Sequence, residues 1–343
     1  MNKTVFIVDD NSINLTVAEK ALRTQYRVIA LPSAEKMFKA LEKFKPDLIM
    51  LDVEMPEMSG FDAMKILKVS SAYANIPVIF LTALSDAKSE AYGIKLGAVD
   101  FILKPFSEPV LQNRVKNHLR IDELIRERTK QLLERTEELE RLKNGLVFTM
   151  ADLVENRDKN TGGHIDRTAS YVQLLIDAML KEKIYEDEIK DWDIESVVSS
   201  ARLHDVGKMI IPDAILNKPG KLTDEEFEIM KSHSSEGAKI IDKAISRTGN
   251  AGFLLNAKKI AEYHHEKWNG AGYPYGLDGE NIPLHGRIMA IADVYDALVS
   301  ERPYKKAFTH DEAVEIIKND AARHFDPVLV DCFLKIKDKF AKG

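Results

Sequence analysis

The chain has 343 residues, 45% hydrophobic and 30% charged, with a formal net charge of −6. That length holds roughly two domains of about 100–200 residues each, and the mild acidity argues against a dedicated nucleic-acid binder, which carries a basic patch or stripe. One cysteine, Cys332, excludes an intrachain disulfide or a cysteine metal cage and suits a small core position. The apolar run after Met1-Asn2-Lys3-Thr4 is too short for a signal peptide. No run approaches the ~20 apolar residues of a membrane helix, so a soluble, cytoplasmic protein is expected.

Over residues 1–118, Val5–Val8, Tyr26–Leu31, Asp47–Leu51, Pro77–Leu81 and Val99–Leu103 form apolar runs separated by amphipathic segments such as Ile13–Thr24 and Ser33–Phe44. The alternation predicts a doubly wound, flavodoxin-like α/β domain with five parallel strands. Ligands of such sheets sit beyond the carboxyl ends of the strands. Asp9-Asp10, Asp52, Thr82 and Lys104-Pro105 stand there. Converging carboxylates repel one another unless a cation shares the site, and all-oxygen ligands suit Mg²⁺. The chemistry expected is a carboxylate that accepts a phosphoryl group.

These residues, with Asp52-Val53-Glu54-Met55-Pro56-Glu57-Met58-Ser59-Gly60, Leu81-Thr82-Ala83 and Lys104-Pro105-Phe106, resemble the receiver domain of bacterial two-component response regulators. The resemblance implies that Asp52 is the phosphoacceptor and that Asp10 and Asp52 hold Mg²⁺, with Asp9 acting through water. Thr82 and Lys104 would contact the phosphoryl group. Phe101 occupies the place of a switching aromatic residue, and the donor would be a sensor histidine kinase.

Residues 108–150 are rich in Leu, Glu, Arg and Lys, with one glycine past residue 108, Gly145. A long connecting helix is expected. Ile125, Leu132, Leu139 and Leu146 recur every seven residues, while the second seam, Arg128, Arg135, Leu142 and Thr149, is half polar. The pattern fits a parallel two-stranded coiled coil and hence a homodimer; the alternative is a single solvated helix.

Residues 145–343 show no strand alternation. Leu146–Asp158, His164–Lys181, Trp192–Leu203, Asp224–Ser232, Ser235–Ser246, Phe253–His264, Leu284–Leu298, Asp311–Asp320 and Pro327–Phe340 are predicted helices, so this domain is all-α. His164, His204, His233, His264 and His265 with Asp205 and Asp293 make a nitrogen-and-carboxylate set without thiolate, suited to Fe, Mn, Zn, Ni or Co. Seven ligands exceed the needs of one ion, so two are expected, with Asp205 placed to bridge them. Two ions about 3.5–4 Å apart clamp a phosphodiester and bring the pKa of a bound water from ~15.7 to near 7. Lys208 and Arg287 are candidate phosphate contacts. The glycine- and proline-rich loop Asn269–Leu277 would rim the pocket.

Together these residues resemble the HD-GYP phosphodiesterases, a branch of the HD superfamily that hydrolyses the bacterial second messenger cyclic di-GMP. The match runs through Glu155-Asn156-Arg157-Asp158, Thr161–Arg167, His204-Asp205-Val206-Gly207-Lys208, His233, His264–Pro274, Arg287-Ile288, Asp293–Leu298, Arg302-Pro303-Tyr304-Lys305 and Phe325-Asp326-Pro327. It implies one metal on His164, His204, Asp205 and Asp293, and another on Asp205, His233, His264 and His265. His204, Asp205 and Lys208 would carry catalysis, with Lys208 on the scissile phosphate and Gly272, Tyr273 and Pro274 lining the substrate pocket. Relatives with a third metal have a glutamate four residues before the first histidine; Asn160 stands there instead, which implies two metals and leaves open one cut, to pGpG, or two, to GMP. The rival readings are a non-catalytic module that binds a nucleotide or a partner such as a diguanylate cyclase, and activity on another cyclic dinucleotide. The helix-turn-helix of a transcription-factor output is missing.

Overall fold

The computed structural model describes residues 3–83, 87–158, 163–249, 252–301 and 306–341. The chain divides into two compact units, Met1–Glu137 and Glu138–Gly343.

In the first unit, β1 (Thr4–Val8), β2 (Arg27–Leu31), β3 (Leu48–Asp52), β4 (Val78–Thr82) and β5 (Asp100–Leu103) pair in parallel in the order β2-β1-β3-β4-β5. Between them run α1 (Ser12–Leu22), α2 (Ala34–Leu41), α3 (Gly60–Val69) and α4 (Ala87–Lys95). Side chains of a strand alternate between faces. On one face Val5, Ile7, Met50 and Leu81 pack with Ala18 and Leu22 of α1. On the other, Phe6, Val8, Leu51 and Phe80 pack with Met37 of α2 and Met64 of α3. Burial on both faces explains why these strands read as unbroken apolar runs.

A single helix, α5 (Glu108–Arg157), carries the chain from one unit into the other. Leu111, Val115 and Leu119 are buried at its start and Val147, Ala151 and Val154 near its end. Between them Ile125, Leu132, Leu139 and Leu146 are 57–68% exposed. The separate helix expected from Leu146 is the end of α5, because no proline or capping residue interrupts it.

The second unit is helical among the described residues: α6 (His164–Glu182), α7 (Glu186–Ile189), α8 (Ile194–Ala201), α9 (Asp213–Leu216), α10 (Asp224–Thr248), α11 (Gly252–Tyr263), α12 (Leu284–Val299), α13 (His310–Asn319) and α14 (Pro327–Phe340). Short 3₁₀ turns lie at Val206–Ile210 and Gly279–Asn281. Thr223 and Thr309 start α10 and α13 with full capping boxes to Glu226 and Glu312. Tyr171, Tyr295, Phe333 and Phe340 anchor the core, with Tyr171 stacked on Phe340 at 4.7 Å. The two helices expected at Asp224–Ser232 and Ser235–Ser246 are one helix. The serines there bond back to the helix, Ser232 Oγ to the Ile229 carbonyl and Ser235 Oγ to the Ser232 carbonyl, and burial of Ser234, Gly237, Ala238 and Ile241 overrides their weak propensity. Among the described residues no helix is long and apolar enough to cross a membrane.

Candidate metal centre

Five elements of the helical unit deliver the chemistry. His164 opens α6, His204 and Asp205 lie between α8 and the first 3₁₀ turn, and His233 sits in α10. His264 and His265 follow α11, and Asp293 lies on α12. Donor atoms of Asp205, His233, His264 and His265 gather within 4.8 Å of one another, as do those of His164, His204 and Asp205. Asp293 Oδ1 stands 3.4 Å from His164 Nε2. The approach of the 3₁₀ turn to α10 requires Gly207: a Cβ there would lie 1.8 Å from the His233 carbonyl oxygen.

The imidazoles are held in one tautomer. His204 Nδ1 faces the Ala201 carbonyl at 2.9 Å, His233 Nδ1 the Met230 carbonyl at 2.7 Å, and His264 Nδ1 the Ala261 carbonyl at 3.0 Å. A carbonyl only accepts, so each Nδ1 carries the proton and each Nε2 presents a lone pair. His164 Nδ1 is held 2.7 Å from Asp296 Oδ2, whose other oxygen takes Arg167 Nε at 2.6 Å. The lone pairs then converge: His164 Nε2 is 3.2 Å from His204 Nε2, and His233 Nε2 is 3.5 Å from His264 Nε2. Two lone pairs at such a distance repel; a cation between them removes the conflict. Anchored Nδ1–H groups are the outer support that metal-binding histidines require.

Charge follows the same logic. Burial pushes His264 down to about 3, helped by His204 and His233, and pushes His265 and His233 below the usual imidazole range. Burial opposes the charged form of His204 as well, but Asp205 and Asp293 outweigh it and raise its pKa. Burial also works against ionised Asp205, yet Lys208 and His204 hold its carboxyl well below the usual range. Asp205 divides its oxygens. Oδ2 lies 3.4 Å from His204 Nε2, while Oδ1 lies 3.3 Å from His233 Nε2 and 3.9 Å from His264 Nε2. The residues therefore fit two divalent ions sharing one carboxylate. Lys208 Nζ, kept charged by Asp205 and Asp158 against the cost of burial, contacts Asp205 Oδ2 at 2.6 Å and Asp158 Oδ2 at 2.9 Å.

Tyr273 stacks on His265 with ring centroids 4.7 Å apart, and its amide donates to the His265 carbonyl. Burial raises its phenol pKa. Its loop is pinned by buried Glu266, which accepts from the amides of Tyr275 at 2.7 Å and Leu277 at 3.0 Å. Gly272 fits where a Cβ would meet the Lys267 amide nitrogen at 2.3 Å, and Pro274 follows Tyr273. Arg287 is a correction. Its side chain is 3% exposed, with NH1 on Asp326 Oδ2 at 2.8 Å, Nε on the Ile282 carbonyl and its plane over the Tyr185 ring. It braces the core through these contacts. Asn160, Thr161, Gly162 and Arg302–Lys305 lie outside the described residues. Sequence alone assigns no role to Asp296, Glu266 and Arg167; the Asp293-x-x-Asp296 spacing, one helical turn apart, is the signal for the first.

In the first unit Asp9, Asp10 and Asp52 also place oxygens within 4.8 Å of one another, Asp10 exposed and the other two buried. Lys104 Nζ lies 2.7 Å from both Asp9 Oδ2 and Asp52 Oδ2. Asn14 Nδ2 donates to Asp9 at 3.1 Å. Burial raises the Asp52 pKa, with Lys104 working against it. Thr82 is buried at the end of β4, and Phe101 is half-buried against Phe80 with centroids 5.4 Å apart.

The HD domain family matches residues 122–329, and the response regulator receiver domain family matches residues 5–116. A probable cyclic di-GMP phosphodiesterase of Vibrio cholerae is 42% identical over 345 residues, covering 98% of this chain and 78% of that one. The cyclic di-GMP phosphodiesterase response regulator RpfG of Xanthomonas campestris is 35% identical over 86% of this chain and 76% of its own. A 3′3′-cGAMP-specific phosphodiesterase 2 of Vibrio cholerae is 40% identical over 57% of this chain and 35% of its own. A receiver domain followed by an HD domain, with such relatives along nearly its whole length, makes this chain a member of the response-regulator branch of the cyclic di-GMP phosphodiesterase family.

Proposed function

We propose that this response-regulator phosphodiesterase hydrolyses cyclic di-GMP at two divalent transition metals, Fe or Mn first among them, under the control of phosphorylation at Asp52. The observation that carries the reading is the set of imidazoles with tethered Nδ1 and converging Nε2, shared across both oxygens of Asp205. His164, His204, Asp205 and Asp293 would hold one ion, and Asp205, His233, His264 and His265 the other. Ions held there would supply polarisation of a phosphoryl oxygen and neutralise the charge that develops on it. Lys208 brings a compact cation to the non-bridging phosphate oxygens. Tyr273 and Gly272, with Pro274, wall the pocket beside His265 and exclude water. Asp296 and Arg167 keep the His164 lone pair aimed inward.

In the receiver, residues 1–118, Mg²⁺ would lie on Asp10 and Asp52 with Asp9 behind it, while Thr82 and Lys104 meet the phosphoryl oxygens and Phe101 responds. A cognate sensor histidine kinase is the donor, and this protein is cytoplasmic. The exposed Ile125, Leu132, Leu139 and Leu146 stripe of the connector, residues 108–150, supports a homodimer joined along α5. Sedimentation velocity of the full chain should then give a dimer at micromolar concentration; a monomer would remove that element. The output domain spans residues 145–343.

The function is tested anaerobically with protein reconstituted in Fe²⁺ or Mn²⁺, given cyclic di-GMP and, in parallel, 3′3′-cyclic GMP-AMP, with products separated by chromatography. The expected result is pGpG or GMP with about two metals per chain, the number of sites the sharing of Asp205 allows. Preference for the mixed dinucleotide would favour the substrate of the third relative. Binding without turnover under every metal would leave a nucleotide- or partner-binding module, with a diguanylate cyclase as one such partner.

A further inference from the structure

The last turn of α5 grips the metal centre at three points. Arg157 reaches across to the 3₁₀ turn Val206–Ile210 and donates to two of its carbonyls and to the one just past it: NH1 to Lys208 at 3.0 Å and Met209 at 2.6 Å, and NH2 to Ile211 at 2.7 Å. Its Nε binds Asp213 at 2.9 Å. The Arg157 carbonyl in turn takes Asn217 Nδ2 at 3.1 Å. Asp158 holds the Lys208 ammonium at 2.9 Å. Glu155 accepts the His164 amide at 2.8 Å, which supplies a cap to α6, whose own N-cap Gly163 has no side chain to do it. A cavity of about 20 Å³, room for roughly one water, is lined by Val154 of α5, by Asp158 just past its end, and by His204 and Lys208 of the site. The interface is thus held by directed polar bonds around a gap rather than by close packing alone.

We propose that Arg157 and Asp158 are positioning residues for hydrolysis: they set where Lys208 stands, and through them the position of α5 sets the competence of the site. A lysine on a flexible four-carbon stem has many rotamers; Asp158 selects one, and Arg157 fixes the backbone from which the stem grows. A shift of the helix by a fraction of an ångström moves both together, which is the displacement to which a near-attack geometry is sensitive. This inference rests on the proposed hydrolysis for its kinetic arm but not for its structural arm.

The experiment uses the full chain loaded with Mn²⁺: wild type, Arg157→Ala, Asp158→Ala and the milder Asp158→Asn. Three quantities are measured: metal per chain, kcat and KM for cyclic di-GMP, and amide hydrogen exchange across residues 206–211. The expected result is unchanged metal content and KM within about threefold, with kcat lower by about 10–100-fold in Asp158→Ala and less in Asp158→Asn, which keeps an acceptor. Arg157→Ala should raise exchange in 206–211 by about tenfold or more. Wild-type kcat in Asp158→Ala overturns the proposal, as does a loss of metal that accounts for the whole loss of rate. Unchanged exchange in Arg157→Ala overturns it even if the wild type proves inactive on cyclic di-GMP, so the two readings fail separately.

Discussion

Asparagine in place of Asp205 is expected to abolish hydrolysis, by at least about 10³-fold, and to bring the metal content below two per chain. Asp205 is the one residue common to both clusters, with an oxygen turned to each side. An amide keeps a single neutral oxygen and replaces the other with a donor. That donor would satisfy an Nε2 lone pair that otherwise awaits a cation, so the variant stabilises the metal-free cluster while weakening the loaded one. Lys208 also loses its 2.6 Å partner. The double variant His204→Ala/Asp205→Ala should be equally inactive, because ligands that act as a unit are not additive. Elemental analysis beside the chromatographic assay checks this. Full metal content with retained turnover in Asp205→Asn would remove Asp205 from the bridging position.

The second large effect belongs to the receiver. Asp52→Asn should show no labelling by acetyl phosphate, and any difference in hydrolysis between treated and untreated wild type should vanish. Asp52 ends β3, buried, with its Oδ2 on Lys104 at 2.7 Å and its Oδ1 accepting the Glu54 amide at 3.3 Å. The asparagine amide has the same shape but is not a nucleophile. Asp9 cannot substitute: it has no exposed surface and is held by Lys104, Asn14 and the Asn11 amide. Label on the Asp52→Asn protein would assign the phosphoacceptor elsewhere.

The central strands β1, β3 and β4 are readable to within a residue because they bury both faces and leave an apolar run with aspartate or threonine at its end or just past it. The histidines were readable because their type is scarce and their chemistry narrow. Arg287 misled for the opposite reason. Arginine near a phosphate and arginine paired to a buried carboxylate are identical in one dimension, and its partner Asp326 lies 39 residues away. The break expected at Ser232–Ser235 weighed local propensity, which packing of α10 on α11 and on the 3₁₀ turn overrode. Asp158, Arg157 and Glu155 were visible as a motif, but their work is done on residues some 9 to 60 positions away and appears only when the chain is folded.

The unbroken run of α5 also sets rules for anyone who would exchange the sensor. Each residue added to a helix turns everything beyond it by about 100° and advances it by about 1.5 Å. A graft made anywhere in the solvated middle of α5 should preserve function when it adds or removes about seven residues, which leaves a phase error of only ~20°. One or two residues should not do so, since they change the helical phase at the junction by about 100–200°. A junction placed after Val147 would strip away a buried side chain that clusters with Leu203 and Val206 of the catalytic unit. The workable seam for chimeras is therefore a matter of helical phase, and lies well upstream of His164.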